Sequence, residues 1–166
     1  MPTLVPITPA LASLYKQVRL RALQDTPSAF GSTYDRERQL TDEDWHNRVT
    51  SLDGNHRIGF LALDAGQPCG LVLCFRDERD SPQAEILSMW VAPSHRRTGL
   101  SSALLDAVRH WAASHRTTTL RLMVVNNNAA AIAFYQRYGF TMTGRASPYP
   151  NNPTLSEFEM ARPTTD

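Results

Sequence analysis

The stretch "VAPSHRRTGLSSALL", Val91 to Leu105, decides how this chain folds. It begins like the end of a strand and finishes like an amphipathic helix. Upstream, "AEILSMWVA" (84–92) is a short, largely apolar run. Downstream of Gly99, the residues Leu100, Ala103, Leu104, Ala107, Val108 and Trp111 recur at helical spacing. "TLRLMVV" (119–125) then reads as a second strand. A strand–helix–strand unit over 84–125 should be parallel and right-handed. Its turn carries Arg96, Arg97, Gly99, Ser101 and Ser102. A helix N-terminus leaves backbone N–H groups unpaired and carries about half a positive charge, so it attracts anions, phosphates above all. Gly99 lets the backbone approach a ligand closely. The arginine fork matches phosphate oxygens, and the serines can donate hydroxyls. The turn reads as a phosphate or pyrophosphate cradle, or else as a surface turn with solvated arginines.

The remaining sequence extends this unit on both sides. "TLVPI" (3–7) is a candidate first strand. Thr8 and Pro9 suit the cap and first position of a helix with Leu11, Leu14, Tyr15, Val18 and Ala22 on one face. Residues 25–37 are loop-rich. Thr41 to Asp44 resembles a capping box, ahead of a short helix that buries Trp45 and Val49. "HRIGFLAL" (56–63) and "PCGLVLCFR" (68–76) predict an antiparallel hairpin, followed by the polar turn "DERDSP" (77–82). After residue 125, Asn128 opens a helix with Ala131, Phe134, Tyr135 and Tyr138 as its buried stripe, and Gly139 stops it. "FTMTGRA" and "TLSEFEMA" are two closing strands joined by the turn-forming "SPYPNNP". The expected fold class is α/β, a mixed, mostly antiparallel sheet of about seven strands flanked by about four helices. Residues 1–166 read as a single domain.

Composition narrows the function classes. Hydrophobic residues make up 42% of the chain, enough for its own core. A net charge of +1 and 20% charged residues argue against a disordered tail or a broadly basic nucleic-acid surface. No run approaches the roughly 20 apolar residues of a membrane span. "MPTLVPITPA" lacks a basic segment followed by an apolar one, so no signal peptide is read and the expected location is the cytoplasm. Cys69 and Cys74, five residues apart on one strand, would lie roughly 16 Å apart at about 3.3 Å per residue, which predicts reduced core thiols. His46, His56, His95, His110 and His115 form no ligand spacing, so no metal is expected. His95, beside the arginines, could sense a phosphate or simply occupy an exposed turn. "GLSSA" (99–103) superficially resembles a hydrolase nucleophile elbow, but the strand ends several residues too early to run into Ser101.

Taken together these residues resemble the GNAT superfamily of N-acetyltransferases. The family's acyl-CoA motif, Gln/Arg-x-x-Gly-x-Gly/Ala, appears as Arg96-Arg97-Thr98-Gly99-Leu100-Ser101, with Ser101 in place of the usual Gly or Ala. "VNNNAAAIAFYQRYGF" resembles the second signature, through Asn128, Tyr135, Gly139 and Phe140. "AEILSMWVAP" resembles the central strand. Its Glu85 stands fourteen residues before Gly99, where histone-acetylating members carry a general base. The N-terminal part resembles a bacterial subgroup with poorly defined substrates.

The resemblance implies acetyl-CoA as co-substrate, seated by Arg96, Arg97, Thr98, Gly99, Leu100, Ser101 and Ser102. Backbone groups of Met89, Trp90 and Val91 would meet the pantetheine arm at a bulge, with Asn128 and Tyr135 also on the cofactor. Glu85 would be the general base, the Val91 N–H the oxyanion donor and Tyr135 the general acid. The bland readings are a structural ion pair for Glu85, packing for Tyr135 and a helix cap for Asn128. The implied partner is a small-molecule or peptide amine, with neither nucleic acid nor membrane, and a homodimer is the assembly members often adopt. The competing functions are a non-catalytic acyl-CoA-binding module and the hydrolase suggested by "GLSSA".

Overall fold

The computed structural model describes residues 1–77 and 81–166. Seven strands form one sheet: β1 (Thr3–Pro6), β2 (Arg57–Asp64), β3 (Gln67–Arg76), β4 (Gln83–Val91), β5 (Thr119–Val125), β6 (Thr141–Tyr149) and β7 (Asn152–Pro163). Their order is β1-β2-β3-β4-β5-β7-β6. Five α-helices accompany them among the described residues: α1 (Ala12–Asp25), α2 (Tyr34–Glu37), α3 (Asp42–Thr50), α4 (Leu100–Ser114) and α5 (Ala129–Arg137). β4 and β5 are parallel and joined through α4, while the other neighbouring pairs are antiparallel. The expected mixed sheet is therefore present.

Helices cover both faces. A Cβ on Gly70 would lie 3.1 Å from the Leu104 side chain of α4, so strand and helix meet there backbone to side chain. On β2, Gly59 faces the opposite side and abuts Ile7 and Leu52, which flank α1 and α3. Tyr15, Val18, Ala22 and Leu23 of α1 and Leu104, Leu105 and Val108 of α4 bury the two layers against the sheet. The capping box at α3 is complete. The Asp44 N–H donates to Thr41 Oγ1 at 3.1 Å, and the Thr41 N–H donates to Asp44 Oδ2 at 2.8 Å. Trp45 and Val49 are buried as the spacing predicts.

Some local expectations need correction. Residues 9–11 form a tight 3-10 turn before α1, and the Thr8 side chain makes no capping bond. The stripe of α5 is only half-buried, because this helix lies at the margin of the core. "SPYPNNP" is mostly strand: β6 runs to Tyr149 and β7 begins at Asn152, leaving Pro150 and Asn151 as the turn. Of the predicted polar turn 77–82, residues 78–80 lie outside the described residues. Cys69 and Cys74 are free and buried in β3.

One irregularity positions everything that follows. Gly70 pairs with Val91 and Leu71 with Trp90, but Leu73 pairs with Leu87, so β4 carries one extra residue between Leu87 and Trp90. Ser88 absorbs it with φ of +56°, the backbone of a β-bulge. On its other edge β4 pairs with β5 only from Gln83 to Glu85. Beyond Glu85 the two parallel strands part, and the sheet opens.

Candidate active site

The opening between β4 and β5 is a cleft of about 320 Å³. One wall is Glu85 to Met89 of β4, and the other is Leu122 to Val125 of β5. Asn128, Ala131 and Tyr135 of α5 line it, as do the loop Ser28 to Ser32, Arg19 of α1, and Tyr149 and Glu157 of the last hairpin. Residues far apart in the chain thus converge where two strands diverge.

Glu85 stands where the strands separate. Its carboxylate is 3.4 Å from a guanidinium nitrogen of Arg121, its partner across β4–β5, and Arg121 also holds Asp77 at 2.8 Å. Burial raises the Glu85 pKa above the ordinary carboxylate range. Arg121 opposes that rise, while Asp77 and Glu159 add to it. The ion pair expected of a structural carboxylate is present, yet the side chain keeps 26% of its exposure and faces the cleft.

Tyr135 enters from α5. Its ring packs edge-on to Phe140, with centroids 5.8 Å apart. Burial raises its hydroxyl to about 12, so it stays protonated at neutral pH. Among the described residues no hydrogen bond reaches that hydroxyl, burial alone sets its pKa, and the side chain lines the cleft. Asn128 caps α5 by accepting from the Ala131 N–H at 3.2 Å, as the capping reading requires, and it lines the cleft as well.

The bulge sets which backbone groups face the opening. The Ala92 N–H donates to the Cys69 carbonyl of β3 at 2.8 Å. Alternation along a strand then turns the Val91 N–H to the opposite edge, where β5 has left. The Val91 carbonyl on that edge accepts from Arg96 Nε at 3.0 Å. Arg96 also reaches Asp25 at the end of α1, whose carboxylate takes the Trp90 indole N–H at 2.9 Å. The guanidinium of Arg96 therefore ties the turn to α1.

The turn itself is a run of open donors. The first helical bond of α4 goes from the Ala103 N–H to the Gly99 carbonyl at 3.0 Å. The N–H groups of residues 97–102 have no partner among the described residues. Gly99 adopts φ of +86°, and a Cβ there would meet nothing within 4 Å, so glycine is required there by backbone conformation and not by crowding. Arg97 is exposed with φ of +63°. Thr98 Oγ1 donates to the His95 carbonyl, while the Leu100 side chain is buried in the core. Ser101 and Ser102 are half-buried in the first turn. His95 hydrogen-bonds Asp64 at 2.8 Å, which fastens the turn to the β2–β3 hairpin.

Glu85, Met89, Asn128 and Tyr135 therefore share the cleft, and the Arg96–Ser102 turn forms a separate seat at the head of α4. Sequence reasoning missed a second set. Arg19 donates to both carboxylate oxygens of buried Glu37, at 2.8 and 2.9 Å, and also to Ser88 Oγ of the bulge. Arg48 meets Glu37 at 3.2 Å, and Arg19 stacks on Phe30 at 4.7 Å. The Tyr149 hydroxyl donates to the Phe30 carbonyl at 2.8 Å, and Asn151 bonds the Phe30 and Ser32 carbonyls, so the last hairpin pins the loop over the cleft. Glu157 joins from β7. Its alternation with Glu159 in "SEFEMA" was the available signal, placing both carboxylates on one face. Among the described residues no group of three or more His, Cys, Asp or Glu could hold a metal, and no helix is long and apolar enough to cross a membrane.

Comparison with known proteins matches this architecture. A sequence model of the acetyltransferase (GNAT) family covers residues 19–140. A Mycobacterium tuberculosis protein named "Probable N-acetyltransferase" is 28% identical over 86 residues, which are 52% of this chain and 48% of that protein. The match thus spans about half the length of that curated relative. A GNAT acetyltransferase structure from Streptococcus pneumoniae superposes with a TM-score of 0.84 at 20% identity, covering 98% of this chain and 99% of that one. The PaiA N-acetyltransferase of Thermoplasma acidophilum, solved with coenzyme A, gives a TM-score of 0.78 at 14% identity over 98% and 99% of the chains.

Proposed function

The chain belongs to the GNAT acetyltransferase family, and from that premise we propose that it transfers an acetyl group from acetyl-CoA to a primary amine of a small molecule or peptide. The observation that carries the reading is the parted β4–β5 edge, with Glu85 on one wall and Tyr135 projecting from α5 into the same cleft. The open donors of residues 97–102 fit a pyrophosphate: they are unpaired among the described residues and stand at the positive end of a 15-residue helix. Ser101 is small enough for that seat. Arg96 serves by bracing the turn, and Arg97 and the two serine hydroxyls are free to add contacts. Acetyl-CoA supplies an acyl group activated as a thioester.

The protein's residues divide the remaining work. An attacking amine must be neutral, although free amines titrate at roughly 8 to 10.4. Glu85 accepts the proton, directly or through water, and burial makes its carboxylate a stronger base than an exposed one. The Val91 N–H faces the edge where the acyl oxygen gathers negative charge and stabilises it there. Tyr135 donates to the departing sulfur, whose thiol pKa is about 8.5. Its own pKa of about 12 lies above that of the thiol, so Tyr135 stabilises the departing thiolate by a hydrogen bond. Any proton it passes on is restored from solvent, which receives the proton the amine gives up. The site's larger contribution is to hold two reactants together, which can lower the barrier by about 7–11 kcal/mol.

The test is CoA thiol release over a panel of alkylamines, peptides and aminoglycosides. Release with at least one acceptor supports the transferase. Saturable acetyl-CoA binding without release from any acceptor would instead favour a non-catalytic acyl-CoA-binding module. Ester cleavage that needs no CoA and is lost in Ser101→Ala would favour a hydrolase.

A further inference from the structure

Glu157 is the carboxylate in this cleft that the reaction leaves unused. It stands on β7 opposite Val125 of β5 and Ser147 of β6, half-buried and lining the cleft. Its neighbours are satisfied: Glu85 and Asp77 share Arg121, and Glu159 accepts from Thr143 Oγ1 at 2.9 Å. Among the described residues Glu157 has neither an ion pair nor a side-chain hydrogen bond. A carboxylate partly withdrawn from water without a partner favours a nearby cation. Burial, with Glu85 adding to it, pushes the Glu157 pKa up, as expected for a carboxylate short of a counter-charge.

Position decides which cation it suits. β7 lies two strands from β4, across β5, and Glu157 stands opposite Val125, beyond the stretch where β4 and β5 are paired. The reacting nitrogen belongs beside β4, near the bulge and Glu85. A permanent partner at that nitrogen would hold it as ammonium and oppose attack. Glu157, on the far wall, can keep a second cation charged while the first nitrogen gives up its proton. We propose that the acceptor is a dication, with a reacting primary amine at β4 and a second ammonium or guanidinium group paired with Glu157. This inference rests on the transferase reading for the first amine and on Glu157 alone for the second charge.

The experiment compares 1,3-diaminopropane, 1,4-diaminobutane and 1,6-diaminohexane with propylamine, butylamine and hexylamine, in the wild type and Glu157→Gln. CoA release gives kcat/KM, and calorimetry measures amine binding to the protein saturated with CoA. The best diamine should exceed its matched monoamine by roughly ten- to hundredfold, the range of a charged hydrogen bond. In Glu157→Gln that ratio should fall to about one, with the KM for acetyl-CoA changed by less than about twofold. Glu157→Asp should recover part of the ratio. Diamines and monoamines turning over equally in the wild type, or an undiminished ratio in Glu157→Gln, would overturn the dication site while leaving the transferase intact. Glu157-dependent diamine binding with no turnover would do the reverse. Absence of both binding preference and turnover would overturn both.

Discussion

In the proposed reaction Glu85 accepts a proton and Tyr135 donates to the sulfur, and burial acts on both. It raises both groups, making a stronger base of one and keeping the other protonated. Tyr135→Phe removes a hydroxyl that has no partner among the described residues and leaves the ring packing intact. It should lower kcat by roughly 10²-fold or more, with acetyl-CoA affinity within about twofold when measured by equilibrium binding. Unchanged turnover would remove Tyr135 from the chemistry. Glu85 must be ionised to accept a proton, so the rate should fall as pH drops through its raised pKa. That acidic limb should lie above the ordinary carboxylate range. Glu85→Gln cannot titrate, so the limb should disappear along with most of the rate. If the variant keeps the limb, another group is the base. Glu85, Gly99 and Tyr135 were legible as candidates because each lies inside a local motif. Glu157 was not, because its place beside the cleft depends on β7 inserting between β5 and β6.

At the scale of elements, the bulged half of β4 is held from behind by α1. Arg19 spans from Glu37 to Ser88, linking a buried ion pair to the residue with φ of +56°. Burial alone would raise the Glu37 pKa, but the Arg19 hydrogen bonds and charge, helped by Arg48, hold it below the usual range. Glu37 therefore stabilises the fold above that range, and its contribution is lost as pH falls through the folded pKa. Glu37→Ala leaves Arg19 buried without its carboxylate and should cost roughly 3–5 kcal/mol in a denaturant titration at neutral pH. A loss under about 1 kcal/mol would show that solvent or a rearranged Ser88 contact satisfies Arg19. Element boundaries were readable where a side chain fixes them. The Thr41–Asp44 box and the Asn128 cap were found at their expected positions. Thr8 stands at the cap position of the Pro9–Leu11 turn and not of the α-helix, and its side chain makes no capping bond.

At the scale of the whole molecule, the cleft is a defect in the sheet. Two parallel strands pair for three residues and then separate, and segments from residue 19 to residue 157 close around the gap. Hydrophobic periodicity identified the strands and helices, since burial on one face leaves a local record. The resemblance anticipated the bulge. Neither revealed the loop pinned by Tyr149 and Asn151 or the Arg19 network, because those contacts join residues 18 to 119 positions apart that share no local period. The central claim is acyl transfer across this gap. Its most direct measurement follows acetyl-CoA labelled in the acetyl group, with mass spectrometry of the acceptor amine after incubation with wild type and Tyr135→Phe. The label should move to the amine nitrogen in step with CoA release, and far more slowly in the variant. Label remaining on CoA, or released only as free acetate, would contradict that claim.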